Sequence, residues 1–256
     1  ISGNDQKYLI YGLLILSTIS YIDDLYNLSK GPRLVFQIIG SYFLLNSLNF
    51  GSISIFFSIL FILVTVGWLN AFNFMDGINS MAGIYSLVSL TSLYYLNERL
   101  EFADQSLIIY SIIGISIFGY FNFRNIAILF LGDVGSISIA FILFHLIISL
   151  IIHTGQISFI IMLSVFGVDS ILTSIERVIK KENITEAHRS HLYQLLSNEL
   201  KYNHLLVSIF YGSVQLIINW LLISSYNNTT LFQFYPLTIL LILFLGYIQI
   251  KKYTKI

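Results

Sequence analysis

Nine apolar runs, several of them near twenty residues long, constrain this 256-residue chain more than any other feature. About 20 apolar residues carry an α-helix across the hydrocarbon core of a bilayer, and a helix satisfies its own backbone there. The runs cover roughly residues 8–22, 34–48, 53–69, 78–96, 107–121, 134–152, 157–175, 205–226 and 234–250. They predict an all-α, polytopic transmembrane helix bundle of about nine spans, a single integral membrane domain over residues 1–256. Residues 176–204 form its one long hydrophilic loop. The short stretch 126–131 cannot cross alone and reads as a re-entrant piece or the approach to the sixth span. Composition agrees, with 56% hydrophobic and 10% charged residues, against about 25% charged in soluble domains. Two prolines exclude collagen-like and Pro-rich disordered chains. Equal numbers of acidic and basic residues, 13 each, leave no basic field for nucleic acid, and no cysteine is present for disulfides or thiolate metal sites. The chain opens on Ile1 rather than Met, which reads as a fragment lacking its natural N-terminus, with room upstream for a signal sequence or an earlier span.

Orientation follows from the basic residues. Lys30, Arg33, Arg124, Arg177, Lys180, Lys181, Arg189, Lys201, Lys251, Lys252 and Lys255 fall on one side, and only Lys7 and Arg99 on the other. Basic loops stay in the cytoplasm, so the start of the chain is expected outside and its end inside. On this topology Asp23, Asp24, Asp76, Asp133, Asp169, Glu176, Glu182, Glu186 and Glu199 gather at the cytoplasmic face. Carboxylates at the ends of several spans are costly near lipid and call for a function. A transporter or flippase with a cation path would want carboxylates at mid-membrane depth, and the span centres hold none.

Four segments carry chemistry. Asp23-Asp24 ends the first run, and two adjacent carboxylates repel, inviting a divalent cation or a basic partner. Read alone, the pair is equally a solvated helix end beside Lys30 and Arg33. It is no Asp-Asp-x-x-Asp prenyl-diphosphate site, since the fifth position is Asn27. Asn70, Asn73, Asp76, Gly77 and Asn79 close the third run, and a continuing helix would put Asn70, Asn73 and Gly77 on one face. So many amides and an acid at a membrane helix end point to function, because each buried amide must find partners. Gly77 would relieve a turn or admit a ligand. This segment lacks the Asp-Gly-x-x-Ala-Arg of a CDP-alcohol phosphotransferase.

Gly132-Asp133-Val134-Gly135-Ser136 precedes the sixth run. Backbone N–H groups at such a helix start suit an anion, and the acid can hold Mg²⁺ against it. The same segment is equally a plain helix start capped by Ser136. In the hydrophilic loop, His188 and His191 share one face of a helix expected to begin at Thr185, with Arg189 between them. They form an anion-binding cluster or an acid–base pair, or else they decorate an amphipathic surface helix. His145, His153, His204, Trp68 and Trp220 read as packing or interface residues.

Together and in this order, the Asp-Asp pair, Asn-x-x-Asn-x-x-Asp-Gly, Leu-Gly-Asp-x-Gly-Ser and His-Arg-x-His resemble the polyprenyl-phosphate N-acetylhexosamine-1-phosphate transferases (glycosyltransferase family 4). The His-Arg-Ser-His-Leu-Tyr ending looks most like the O-antigen and capsule initiating branch. The matching pieces span Tyr21 to Gln194. The one or two further N-terminal helices and the Pro-Arg-x-Gly-Gly loop of the family have no counterpart here, which leaves an inactive family fragment as an alternative. The resemblance implies transfer of N-acetylhexosamine-1-phosphate from a UDP-sugar to polyprenyl (undecaprenyl) phosphate, with release of UMP. It implies Mg²⁺, with Mn²⁺ as its substitute, and a site facing the cytoplasm in the bacterial inner membrane. Asp23, Asp24 and Asp133 would be catalytic, with Asp133 and Asp24 on the metal. Asn70, Asn73, Asp76, Gly77, His188, Arg189 and His191 would bind substrate. Implied partners are the lipid phosphate, the UDP-N-acetylhexosamine and, as one assembly to consider, a second copy in a homodimer; nucleic acid is not among them.

Overall fold

A computed structural model describes residues 3–48, 50, 53–183, 189–227 and 229–254. Its helices are α1 (Gly3–Tyr26), α2 (Lys30–Ser47), α3 (Ile55–Met75), α4 (Met81–Leu100), α5 (Gln105–Asn122) and α6 (Gly132–Thr154). A 3₁₀ segment (Ile157–Leu163) runs straight into α7 (Ser164–Ile179), and the short α8 (Leu192–Gln194) passes into a π turn (Leu195–Glu199). The long helices α9 (His204–Ser225) and α10 (Thr229–Thr254) complete the order. No strand occurs among the described residues.

Seven of the described helical stretches are long and apolar enough to cross a membrane: those in α1, α3, α5, α6, the Ile157–Ile179 rod, α9 and α10. This is a multi-pass membrane protein. The other two expected spans are helices, α2 and α4, yet they fall short of the seven. Lys30, Arg33, Gln37 and Asn46 make α2 too polar, and Ser86, Ser89, Thr91, Ser92 and Asn97 do the same for α4. Residues 126–131 are irregular, as expected. Side chains cap the helix starts at Asp104, which accepts from Ser106 N–H (2.9 Å), and at Asn203, which accepts from Leu205 N–H (2.8 Å).

In a bilayer the lipid tails are as apolar as the helix faces, so packing and polar bonds must decide which helices meet. Helix α1 lies along α2 and α6, α4 lies between α5 and α9, and α3 touches α2, α6 and α7. Phe72, Tyr85 and Phe166 join α3, α4 and α7, with the rings of Tyr85 and Phe166 stacked at 3.7 Å and those of Phe72 and Phe166 at 5.2 Å. One glutamine explains how a broken helix survives in the core. At the junction of the 3₁₀ segment and α7, Gln215 accepts from Val165 N–H (3.0 Å) and donates to Ile161 C=O (3.2 Å). The same amide donates to Asn219, which donates to Ser92 on α4. Backbone groups freed by the break are therefore satisfied inside the protein, which hydrocarbon demands. Trp68 packs inside as expected, its indole N–H donating to Ala140 C=O (2.9 Å).

Candidate active site

Of the nine acids expected at one face, Asp23, Asp24 and Asp133 meet where α1, α2 and α6 converge beside the end of α3. Asp23 is buried at the end of α1, where it accepts from Leu28 N–H (2.7 Å) and pairs with Arg33 (2.8 Å). The second guanidinium nitrogen of Arg33 reaches Asp133 (3.0 Å). Arg33 thus forks between two carboxylates on α1 and α6 and offsets their repulsion. No sequence motif singled it out for this.

Asp24 meets the start of α6. It accepts from Asp133 N–H (3.1 Å) and Val134 N–H (3.3 Å), the first amides of α6. The anion at this helix start is thus the protein's own carboxylate, which complements the dipole. Gly132 makes the approach feasible: its φ is +64°, and a Cβ there would lie 2.8 Å from Asp24 Oδ2. Ser136, expected as a cap, instead donates to Asn73 Oδ1 (2.6 Å).

The third-run motif divides in two. Helix α3 continues past 69 to Met75 and then stops, so Gly77 lies beyond the helix and shares no helical face with Asn70 and Asn73. Asn70 exchanges hydrogen bonds with Gln37 (2.7 and 3.3 Å) and so braces α3 to α2. Asn73 donates to Asp133 Oδ1 (3.2 Å) and ties α3 to α6. Gly77 makes room for a side chain rather than for a left-handed turn: a Cβ there would overlap the Tyr193 hydroxyl.

Beside these groups opens a cavity of about 500 Å³, lined by Asn73, Asp76, Gly77, Asn79, Asn122 and Asp133 among others, with His204 on its wall. Two of its amides also build it, since Asn122 accepts from Ser80 N–H (2.7 Å) and Asn79 donates to Asn125 C=O (3.3 Å). Burial, and after it the charge of Asp133, pushes the Asp76 carboxyl up to about 8. Among the described residues Asp76 has no ion-pair partner, whereas Asp133 has Arg33. His204, read from sequence as packing, borders the cavity because α9 starts there; no local signal reveals this.

The hydrophilic loop is arranged differently from the expected helix. Residue 188 lies outside the described residues. Arg189 is exposed and away from the cavity wall, and regular helix begins only at Leu192. His191 is 2% exposed and meets Asp169 through Nδ1 (3.3 Å), so it does not face the cavity.

The described residues form an all-helical membrane bundle with acids brought together at its helix ends. A family model described as glycosyl transferase family 4 matches residues 7–151. The chain belongs to this family, the polyprenyl-phosphate hexosamine-1-phosphate transferases that its motifs resemble. Among curated proteins it is similar to the phospho-N-acetylmuramoyl-pentapeptide-transferases of two Lactococcus lactis subsp. cremoris strains, MG1363 and SK11. Each is 37% identical over 103 residues, which is 40% of this chain and 30% of the relative. The match thus spans under a third of either relative's length.

Proposed function

We propose that the protein transfers a sugar-1-phosphate, N-acetylhexosamine-1-phosphate in particular, from a UDP-sugar to polyprenyl phosphate and releases UMP. The observation carrying this reading is the cavity. It sets two carboxylates, Asp76 and Asp133, and three amides beside an apolar wall that includes Phe130, which is 67% exposed. Such a wall suits a charged diphosphate held next to lipid. In the reaction an oxygen of the lipid phosphate bonds to the β-phosphorus of the UDP-sugar, the bond from that phosphorus to the bridging oxygen breaks, and the electron pair leaves with UMP. A phosphate monoester is largely dianionic at neutral pH, so bringing two anions together is the main barrier.

The donor set fits Mg²⁺ or Mn²⁺. Hard-oxygen groups line the cavity, and Mg²⁺ is often held by one or two carboxylates plus substrate phosphates. Asp133 and Asp76 would hold it, whereas Asp24 is engaged by the start of α6. Bound there, the ion would supply charge neutralisation to the diphosphate. Asn73 orients Asp133, and Arg33 keeps Asp23 and Asp133 together without collapse of the seam. The positive-inside tally supports a site at the cytoplasmic face of a bacterial inner membrane, where glycan assembly would begin.

The test is Mg²⁺-dependent exchange of labelled UMP into a panel of UDP-N-acetylhexosamines, in membranes supplied with polyprenyl phosphate. UDP-N-acetylmuramoyl-pentapeptide belongs in the panel because of the relatives' names. Exchange with at least one donor is expected, and none with any donor refutes the reading.

A further inference from the structure

One buried carboxylate outside the cavity organises the hydrophilic loop. Asp169, on α7 and 2% exposed, accepts from Leu192 N–H (3.0 Å), Tyr193 N–H (3.4 Å), the Tyr211 hydroxyl (2.7 Å) and the Thr173 hydroxyl (3.1 Å), and meets His191 Nδ1 (3.3 Å). A carboxylate this deep must be surrounded by donors, and most of these come from residues 191–193. Asp169 therefore fixes that stretch of chain at one height on the bundle. Lys251 on α10 adds a second hold just upstream, donating to Ser190 C=O (3.2 Å).

Tyr193, held in this way, is fully buried and reaches across to α3. Its hydroxyl donates to Phe74 C=O (2.7 Å), one of the last carbonyls of α3. The same hydroxyl occupies the space that a Cβ on Gly77 would take, and the ring carbon Cζ would lie 3.1 Å from it. Tyr193 is thus packed on both sides of Asp76, against residue 74 before it and residue 77 after it. Asp76 itself turns to the cavity.

We propose that Tyr193, locked by Asp169, is a positioning residue that braces the end of α3 and thereby aims Asp76 into the cavity. The loop's aromatic residue acts on the reaction through this turn and does not touch substrate. The proposal rests on the transferase reading for its kinetic consequence, but the contact can be tested without it.

The experiment compares the full-length protein with Gly77→Ala, Tyr193→Phe and the double variant, for kcat per folded protein, KM of each substrate and melting temperature. Gly77→Ala forces a methyl group onto a fixed hydroxyl and is expected to lower kcat by about tenfold or more. Tyr193→Phe removes one hydrogen bond and should lower kcat by about fivefold. The double variant removes the overlapping oxygen, so its kcat should return to within about threefold of Tyr193→Phe, the 3.1 Å ring contact limiting the rescue. KM for polyprenyl phosphate should stay unchanged throughout. A double variant no better than Gly77→Ala overturns the proposal. So does a Gly77→Ala protein that melts lower but keeps the parental kcat per folded molecule, because that is a structural role alone. If the parent transfers nothing, the transferase reading fails on its own account. Melting temperatures then decide the contact: rescue in the double variant upholds it, and simple additivity overturns it.

Discussion

Replacing Arg33 with Met should destabilise the protein more than any other single change at the seam of α1, α2 and α6. Arg33 pairs with Asp23 at 2.8 Å and Asp133 at 3.0 Å, and the three side chains are 30%, 8% and 24% exposed. Removing one partner of a fully buried ion pair costs about 3–5 kcal/mol, because the other charge stays behind. The partial exposure of Arg33 and Asp133 lets water screen part of this, which brings the expected loss to about 2–3 kcal/mol. At roughly 2–4 °C per kcal/mol for a chain of this size, the melting temperature should fall by about 5–10 °C. Arg33→Lys keeps the charge but cannot fork to two carboxylates, so it should lose about half as much. Intrinsic fluorescence of Trp68, which is buried between α3 and α6, reports the transition in detergent. Added Mg²⁺ should narrow the gap for Arg33→Met, since a cation can replace the missing charge. Melting of Arg33→Met within about 1 °C of the parent would refute the reasoning. Equal losses for Met and Lys would refute it as well, by showing that charge balance is not what Arg33 supplies.

Three further outcomes follow from the same geometry. Asp133→Asn should abolish Mg²⁺-dependent exchange while the protein stays folded, since an amide is a poor substitute for a hard carboxylate ligand; near-parental exchange would remove Asp133 from the metal. Asp76 should make stability pH-dependent in chelator. Its carboxyl is raised in the folded protein from 3.8 to about 8, so the folded state prefers it neutral, and stability is lost as pH rises across that window. Asp76→Asn escapes the loss, and its melting advantage over the parent should grow between those limits; a constant difference would contradict the raised value. Arg189→Lys and His188→Ala test whether this stretch of chain grips the donor: a grip raises KM for the UDP-sugar, whereas unchanged kinetics leaves donor recognition to the cavity.

Much of this molecule is legible without coordinates. Apolar run length marks the helices, because a bilayer admits few alternatives for a backbone that must bond to itself. The clustering of Asp23, Asp24, Asp76 and Asp133 follows from run boundaries alone, since helices that start and stop at a membrane surface put their end residues at one level. What no run length contains is side-chain direction across the bundle. Asn70 and Asn73 are three residues apart on one helix, yet one pairs with Gln37 on α2 and the other with Asp133 on α6. Asp23 and Asp24 are adjacent, and a helix turns about 100° per residue, so they face Arg33 and the start of α6 respectively. Arg33 and His204 look ordinary in sequence, and they gain their parts only when helices distant along the chain come together. His191 is the converse, a histidine inside a motif that packing turned inward onto Asp169. The sequence by itself determined where the long helices lie, because hydrophobic length is a one-dimensional quantity. Only the tertiary structure decided which of them share the cavity, because close contacts between helices depend on rotation and register that one-dimensional patterning leaves open.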